Sequence, residues 1–253
     1  MPTLLLRLAG PLQSWGVGSR FTTRGTETSP TKSGVVGLLS AALGIPRNGS
    51  LERFAGLGFG TRTDVPGTLL DDFHTAISMD GKTRLPLTHR HYLQDAVFVA
   101  GFESDDAALL ESFAAALRAP VFPLSLGRRS CPPDGPIVWW IVDTPLEQSL
   151  KELPWQATPE AKRSARRRAR SGAVRLPLLL DARGDDGTAF VETLADEPLS
   201  FDPQRRRYAT RAVVRSSVTV EEATATADTS AEPTALAHDP MAMFAAMETE
   251  ENA

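Results

Sequence analysis

The sequence has one cysteine, Cys131, in 253 residues. A lone cysteine excludes an intrachain disulfide and a cysteine metal cluster. Histidine is almost as scarce, with four residues: His74, His89, His91 and His238. The catalytic and metal signatures H-E-x-x-H, C-x-x-C and G-x-S-x-G are missing. A phosphate-binding P-loop needs Gly before its Lys-Ser, and Thr31 stands before Lys32-Ser33. No stretch approaches ~18 apolar residues, so no membrane span is expected. Met1 to Ala9 has no basic segment followed by a long apolar run, so no signal peptide is expected. These absences point to a cytoplasmic protein with no cofactor, no metal and no membrane partner.

Basic residues are missing from one region. Residues 219–253 carry eight acids and neither Lys nor Arg. The whole chain, with 27 Lys+Arg and 31 Asp+Glu, has a net charge of −4. Setting those eight acids aside leaves 27 bases against 23 acids in residues 1–218, or +4. A basic body with an acidic tail is compatible with a nucleic-acid partner without requiring one. At 42% hydrophobic and 23% charged, the chain can build a core.

The most organised stretch is Arg24 to Gly44, RGTETSPTKSGVVGLLSAALG. Thr31 can cap a helix and Gly44 suits the left-handed position after it. Gly34, Gly37 and Ala41 give the helix a face that can pack closely. Free N–H groups, a partial positive charge and Lys32 meet at its start, which makes a candidate anion site. The alternative is an ordinary capped helix with an exposed lysine.

Alternation predicts strands at Thr3–Leu8 and Leu57–Thr63. Between the first strand and the helix, Gln13-Ser14-Trp15-Gly16 reads as an exposed turn. There Trp15 is either a core plug or a stacking platform for a base. Pro66 to Arg90 is polar and irregular, with a hairpin-tip signal at Met79-Asp80-Gly81-Lys82. Strand character returns over Tyr92–Phe102. Ser104 then caps an amphipathic helix whose stripe is Leu109, Leu110, Phe113, Ala114 and Leu117. Short strands are predicted at Val121–Leu124 and Ile137–Val142, the second fully apolar. This element order is the βαββαβ of an α+β, ferredoxin-like or RRM-like domain over residues 1–143, with a hairpin insertion at about 76–91. Such a sheet carries helices on one face and leaves the other open for RNA.

A smaller β-rich region is expected over 144–218, with strands at Val174–Leu180 and Arg211–Arg215. It includes a run with seven bases and no acid from Lys162 to Arg175, a candidate for phosphate contact. Residues 219–253 read as disordered, with a short docking helix after Asp239.

Five blocks occur in one order: LRLAGPLQSWG, SPTKSGVVGLLSAALGI, DDFHTA, YLQDAVF and LGRRSCP. Together they resemble the CasD family, whose members cap the 5′ end of the crRNA in the type I-E CRISPR Cascade complex. The resemblance runs over about Met1 to Ser217. It implies an RRM-like body holding the crRNA 5′ handle, and a thumb hairpin between Ala76 and Tyr92 that folds over the RNA. The expected function is a non-catalytic, RNA-binding subunit. Its partners would be the backbone subunit CasC and the large subunit CasA, and a contact with target DNA is left open. Arg7, Gln13, Trp15, Arg24, Lys32, Ser33, Arg128 and Arg129 would line the handle site. The rival reading is a type I-C-like, metal-independent endoribonuclease using His74 or His91 with Tyr92.

Overall fold

The structure is a computed structural model and describes residues 1–17, 22–169, 173–182 and 190–220. The expected tail helix after Asp239 lies outside the described residues, as does Arg170 of the basic run.

The chain folds as a mixed α+β protein. β1 (Thr3–Ala9) leads through the two-residue strands β2 (Leu12–Gln13) and β3 (Thr23–Arg24) to α1 (Lys32–Ala42). β4 (Gly58–Val65), β5 (Thr68–His74), β6 (Thr88–Gln94) and β7 (Val97–Glu103) follow, then α2 (Ala107–Arg118) and β8 (Trp139–Val142). The remainder is α3 (Leu146–Glu152), α4 (Pro159–Arg168), β9 (Val174–Asp181), β10 (Val191–Ser200) and β11 (Arg207–Val220).

Seven strands form one sheet in the order β10-β11-β9-β4-β7-β1-β8, with neighbouring strands antiparallel. β1 lies between β7 and β8 because its residues are apolar on both faces. Leu4, Leu6 and Leu8 enter a core with α1 and α2. Leu5 enters a second core with Val99, Leu146 and Leu150. Alternation along a strand sends these two sets to opposite sides.

The second core corrects the expectation of an open sheet face. α3 covers it. A Cβ on Gly101 would come 2.5 Å from Leu146 Cδ1, so the glycine admits the helix where a larger residue would exclude it. Arg62 of β4 lies on the same side of the sheet as α3. It is fully buried and donates to the carbonyls of Leu150, Leu153 and Pro154 at the end of α3. Asp64 neutralises it through two further hydrogen bonds at 2.6 and 2.9 Å. The cation thus satisfies carbonyls that the helix end leaves without partners.

The insertion is longer than 76–91. β5 and β6 pair from Thr68↔Gln94 to His74↔Thr88, and an Ile77↔Arg84 bridge extends the hairpin toward its tip. Asp95, at φ 56°, separates β6 from β7 where one continuous strand was expected. β6 also pairs with β2 and β3, which makes a second, four-stranded sheet.

Other differences are local. Asp106 caps α2 in place of Ser104, whose hydroxyl accepts from Asp106 N instead. Val121–Leu124 is not a strand; Val121 and Phe122 donate to carbonyls at the end of α1. Trp139 and Trp140 are half-buried. β11 runs to Val220, so Thr219 and Val220 belong to the sheet and not to the tail. α3 and β10 were not foreseen.

Candidate nucleic-acid interface

α1 begins as expected: Thr31 caps it by accepting from Gly34 N at 3.2 Å. Its positive end is already filled. Lys32 N donates to Asp196 Oδ2 at 2.8 Å, so the anion held at this helix start is a carboxylate from β10. Lys32 is buried, with Nζ 2.7 Å from Glu197 and 3.6 Å from Asp181, and it donates to Leu57 O. Arg211 completes the cluster with two hydrogen bonds to Asp196, at 2.6 and 3.0 Å, and one to Asp181 at 2.6 Å. Burial pulls the Arg211 guanidinium down, but the bonds and charges of Asp196 and Asp181 outweigh it and hold the group above its ordinary range. Lys32 therefore joins α1 to β9 and β10, and its ammonium faces carboxylates rather than a ligand.

Trp15 and Gln13 are also structural. Trp15 is 0% exposed and lies against Gly34, where a Cβ would come 2.7 Å from its ring. Its indole N–H donates to Gln13 Oε1, and Gln13 Nε2 donates to Leu8 O and Ala96 O. Of the two readings of this turn, Trp15 is the core plug; its ring offers no surface for a base. Arg7 is 3.5 Å from Asp134 and lies apart from the residues described next.

Arg24, Ser33, Arg128 and Arg129 do come together. Together they line a groove of about 1060 Å³ between α1, the 122–129 segment and the start of β11. Gly37 and Ala41 form part of its wall, so the small-residue face of α1 leaves space there. Gly127, at φ 86°, turns the chain where any Cβ would collide with the Ser14 carbonyl. Arg128 is half-buried and stacks over Tyr92, 5.0 Å from the ring centroid. It donates to the carbonyls of His91, Arg24 and Gly25, clamping β3 against β6. Arg129 is exposed, with no carboxylate partner among the described residues.

The groove also contains residues that the sequence reading missed: Arg47, Phe122, Phe201, Arg206 and Tyr208. Its lining thus has five arginines and no carboxylate. Phe122 is 46% exposed and Tyr208 37%, so aromatic faces accompany the positive charge. The RRRY run at 205–208, which leads into β11, is a sequence signal for Arg206 and Tyr208. Arg47 stands just beyond α1 with no signal of its own.

The ribonuclease candidates do not converge. His91 pairs in register with Asp71 and His74 with Thr88, three positions along the ladder, or roughly 10 Å. Tyr92 points to the opposite face from His91, is buried, and has its hydroxyl 3.5 Å from Ser130 Oγ. His74 is paired with Asp72 at 2.7 Å. Among the described residues, no group of three or more His, Cys, Asp or Glu is placed to hold a metal. No helix there is long and apolar enough to cross a membrane.

Comparison with known proteins gives this arrangement a context. A family profile described as "CRISPR-associated protein (Cas_Cas5)" matches residues 3–214, and the chain belongs to that family. It is 38% identical over 153 residues to the "CRISPR system Cascade subunit CasD" of Escherichia coli (strain K12), an alignment covering 53% of this chain and 68% of the relative. A chain of a "CRISPR RNA-guided surveillance complex" superposes with a TM-score of 0.67 at 34% identity, covering 86% of this chain and 90% of that one. A structure titled "Crystal structure of Cas protein" matches at a TM-score of 0.63 and 35% identity, covering 85% and 94%.

Proposed function

We propose that the chain is a non-catalytic, RNA-binding subunit of a type I-E CRISPR Cascade surveillance complex in the cytoplasm, and that the arginine groove holds the 5′ handle of the crRNA. The observation carrying this reading is a groove with five arginines and no acid in a chain whose net charge is −4. Arg24, Arg47, Arg129 and Arg206 contact phosphates. Phe122 and Tyr208 offer faces to unstacked bases, the mode in which single-stranded RNA is read. Arg128 shapes the wall as well as adding charge. Similarity to a Cascade subunit and to a chain of an RNA-guided surveillance complex supports the assembly.

The body is read as ferredoxin-like. Its β8-β1-β7-β4 segment has the fourth, first, third and second strands of the βαββαβ series side by side. The β5–β6 hairpin is the thumb. Leu69 and Phe73 are 62% and 67% exposed on one face of it, which suits the backbone subunit CasC as a protein partner beside the RNA. CasA is the other proposed protein neighbour. The separation of His74, His91 and Tyr92 favours binding without cleavage over the endoribonuclease reading.

The test is binding and cleavage of labelled repeat RNA by the purified protein. Wild type binds and leaves the RNA intact. Arg24→Ala/Arg129→Ala loses affinity by about tenfold at low salt, and its salt dependence flattens by about 0.7 per lost single-strand contact. Unchanged affinity and slope in a folded double variant would remove the groove from the site. Cleavage abolished by His91→Ala would establish the enzyme instead.

A further inference from the structure

A second basic surface lies away from the groove. α4 has the sequence PEAKRSARRR, five bases and one acid in ten residues. It packs through Ala161 and Ala165 against Trp155, Leu176, Val218 and Val220, at the far end of β11 from Tyr208. Tyr208 and Val220 are twelve positions apart in β11, roughly 40 Å of strand. The two basic regions are therefore distinct sites.

The charges on α4 have two roles. Lys162 and Arg166 lie 5.8 and 6.0 Å from the Trp155 ring centroid and help seat the helix. Arg163, Arg167 and Arg168 are exposed. Glu160 pairs with Arg163 at 2.7 Å and is the one acid on the helix. Arg166 to Arg168 sit in the last turn, where the helix dipole favours cations. That dipole explains why they are tolerated. It does not explain three exposed guanidiniums with a single acid on the helix to relieve them, since like charges so close repel one another.

We infer that the exposed face of α4 binds the phosphodiester backbone of nucleic acid, independently of sequence and separately from the groove. Charge complementarity and guanidinium geometry support this occupant. The aromatic beside the patch, Trp155, is 8% exposed and covered by Lys162 and Arg166, so the face has no platform for reading bases. A surface that meets phosphates alone should weaken all sequences alike when it is neutralised.

The competing occupant is the protein itself, because eight acids follow in residues 221–253 and β11 ends beside α4 at Val220. The experiment uses the full chain with two probes of unrelated sequence, duplex DNA and single-stranded RNA, over a salt series. Arg163→Gln/Arg167→Gln/Arg168→Gln should weaken binding at least about tenfold at low salt. It should flatten the slope by about 0.9 per lost contact on duplex, or about 0.7 on single strands, whichever polymer the face takes. The melting temperature should hold, and so should binding of repeat RNA through the groove at saturating handle. Arg24→Ala/Arg129→Ala should show the reverse pattern, so the failure of either site is seen separately. Equal affinity and slope in the triple variant overturn the inference. So does α4-dependent binding that appears only after Glu221→Gln/Glu222→Gln/Asp228→Asn/Glu232→Gln, which would assign the face to the acidic segment.

Discussion

The start of α1 and the arginine groove share residues of one helix, yet they use positive charge in opposite ways. At the start of α1, Lys32 and the helix N–H groups meet Asp181, Asp196 and Glu197. In the groove, five arginines meet no carboxylate from the lining. A lysine at a helix N-terminus looks like an anion site in sequence. Its occupant here is an aspartate 164 residues away. Positive charge becomes a binding site only where the fold withholds its counter-ions.

Three variants sharpen this contrast beyond the groove test above. The largest effect is expected from Asp196→Asn, which leaves the buried Arg211 and the Lys32 amide poorly matched. Removing one partner of a buried pair costs about 3–5 kcal/mol, to be read as a lower denaturation midpoint in urea. Next, Lys32→Met should cost about 1–3 kcal/mol, since Glu197 and the Leu57 carbonyl lose their donor. Its RNA salt slope should match wild type; a slope flattened by one contact would make Lys32 a phosphate ligand after all. Arg24→Ala/Arg129→Ala is the mirror image, with binding lost and stability kept.

The smallest effect concerns the wall that presents Arg128 and Arg129. Cys131 N donates to Arg128 O and Leu126 N to Cys131 O, closing the loop. Burial pushes the Cys131 thiol up, with Ser130 and Arg128 opposing. A thiol that stays protonated longer in the folded state adds stability below its unfolded pKa, and that stability is lost as pH rises through the higher folded value. Denaturation midpoints should therefore fall slightly across alkaline pH in wild type, and less in Cys131→Ala. Thiol labelling near pH 8 should be slow. Labelling as fast as for a free thiol would mean that the wall opens.

Local rules made much of the fold legible. The Thr31 cap, the α1 span, the α2 stripe and the strands around Leu4 and Phe59 follow from capping and periodicity. β10 did not, because VETLADEPLS carries three acids and a proline and shows no apolar alternation. Its acids are in the sheet because Arg211 and Lys32 neutralise two of them and Arg215 pairs with Glu192. α3 was missed because only Leu146 and Leu150 of its seven residues contribute apolar burial, too few for a stripe. Within the site, Arg24, Ser33, Arg128 and Arg129 were readable as basic or polar blocks near turns. The burial of Gln13 and Lys32 was not, since each depends on partners far along the chain, and for Trp15 the core plug was one of two readings. Arg47 shows the converse: an ordinary surface arginine becomes part of a groove through tertiary folding alone.

The joint between Lys32 and Asp196 also constrains synthesis. The aspartate leaves the ribosome 164 residues after the lysine it serves. At about 5–20 residues per second, roughly 8–30 s pass before the two can meet. During that interval α1 exists without the carboxylates that neutralise it, next to the apolar residues that will become the core. Messages broken before codon 196 would yield nascent chains arrested at that stage, which are natural substrates for chaperones and proteases.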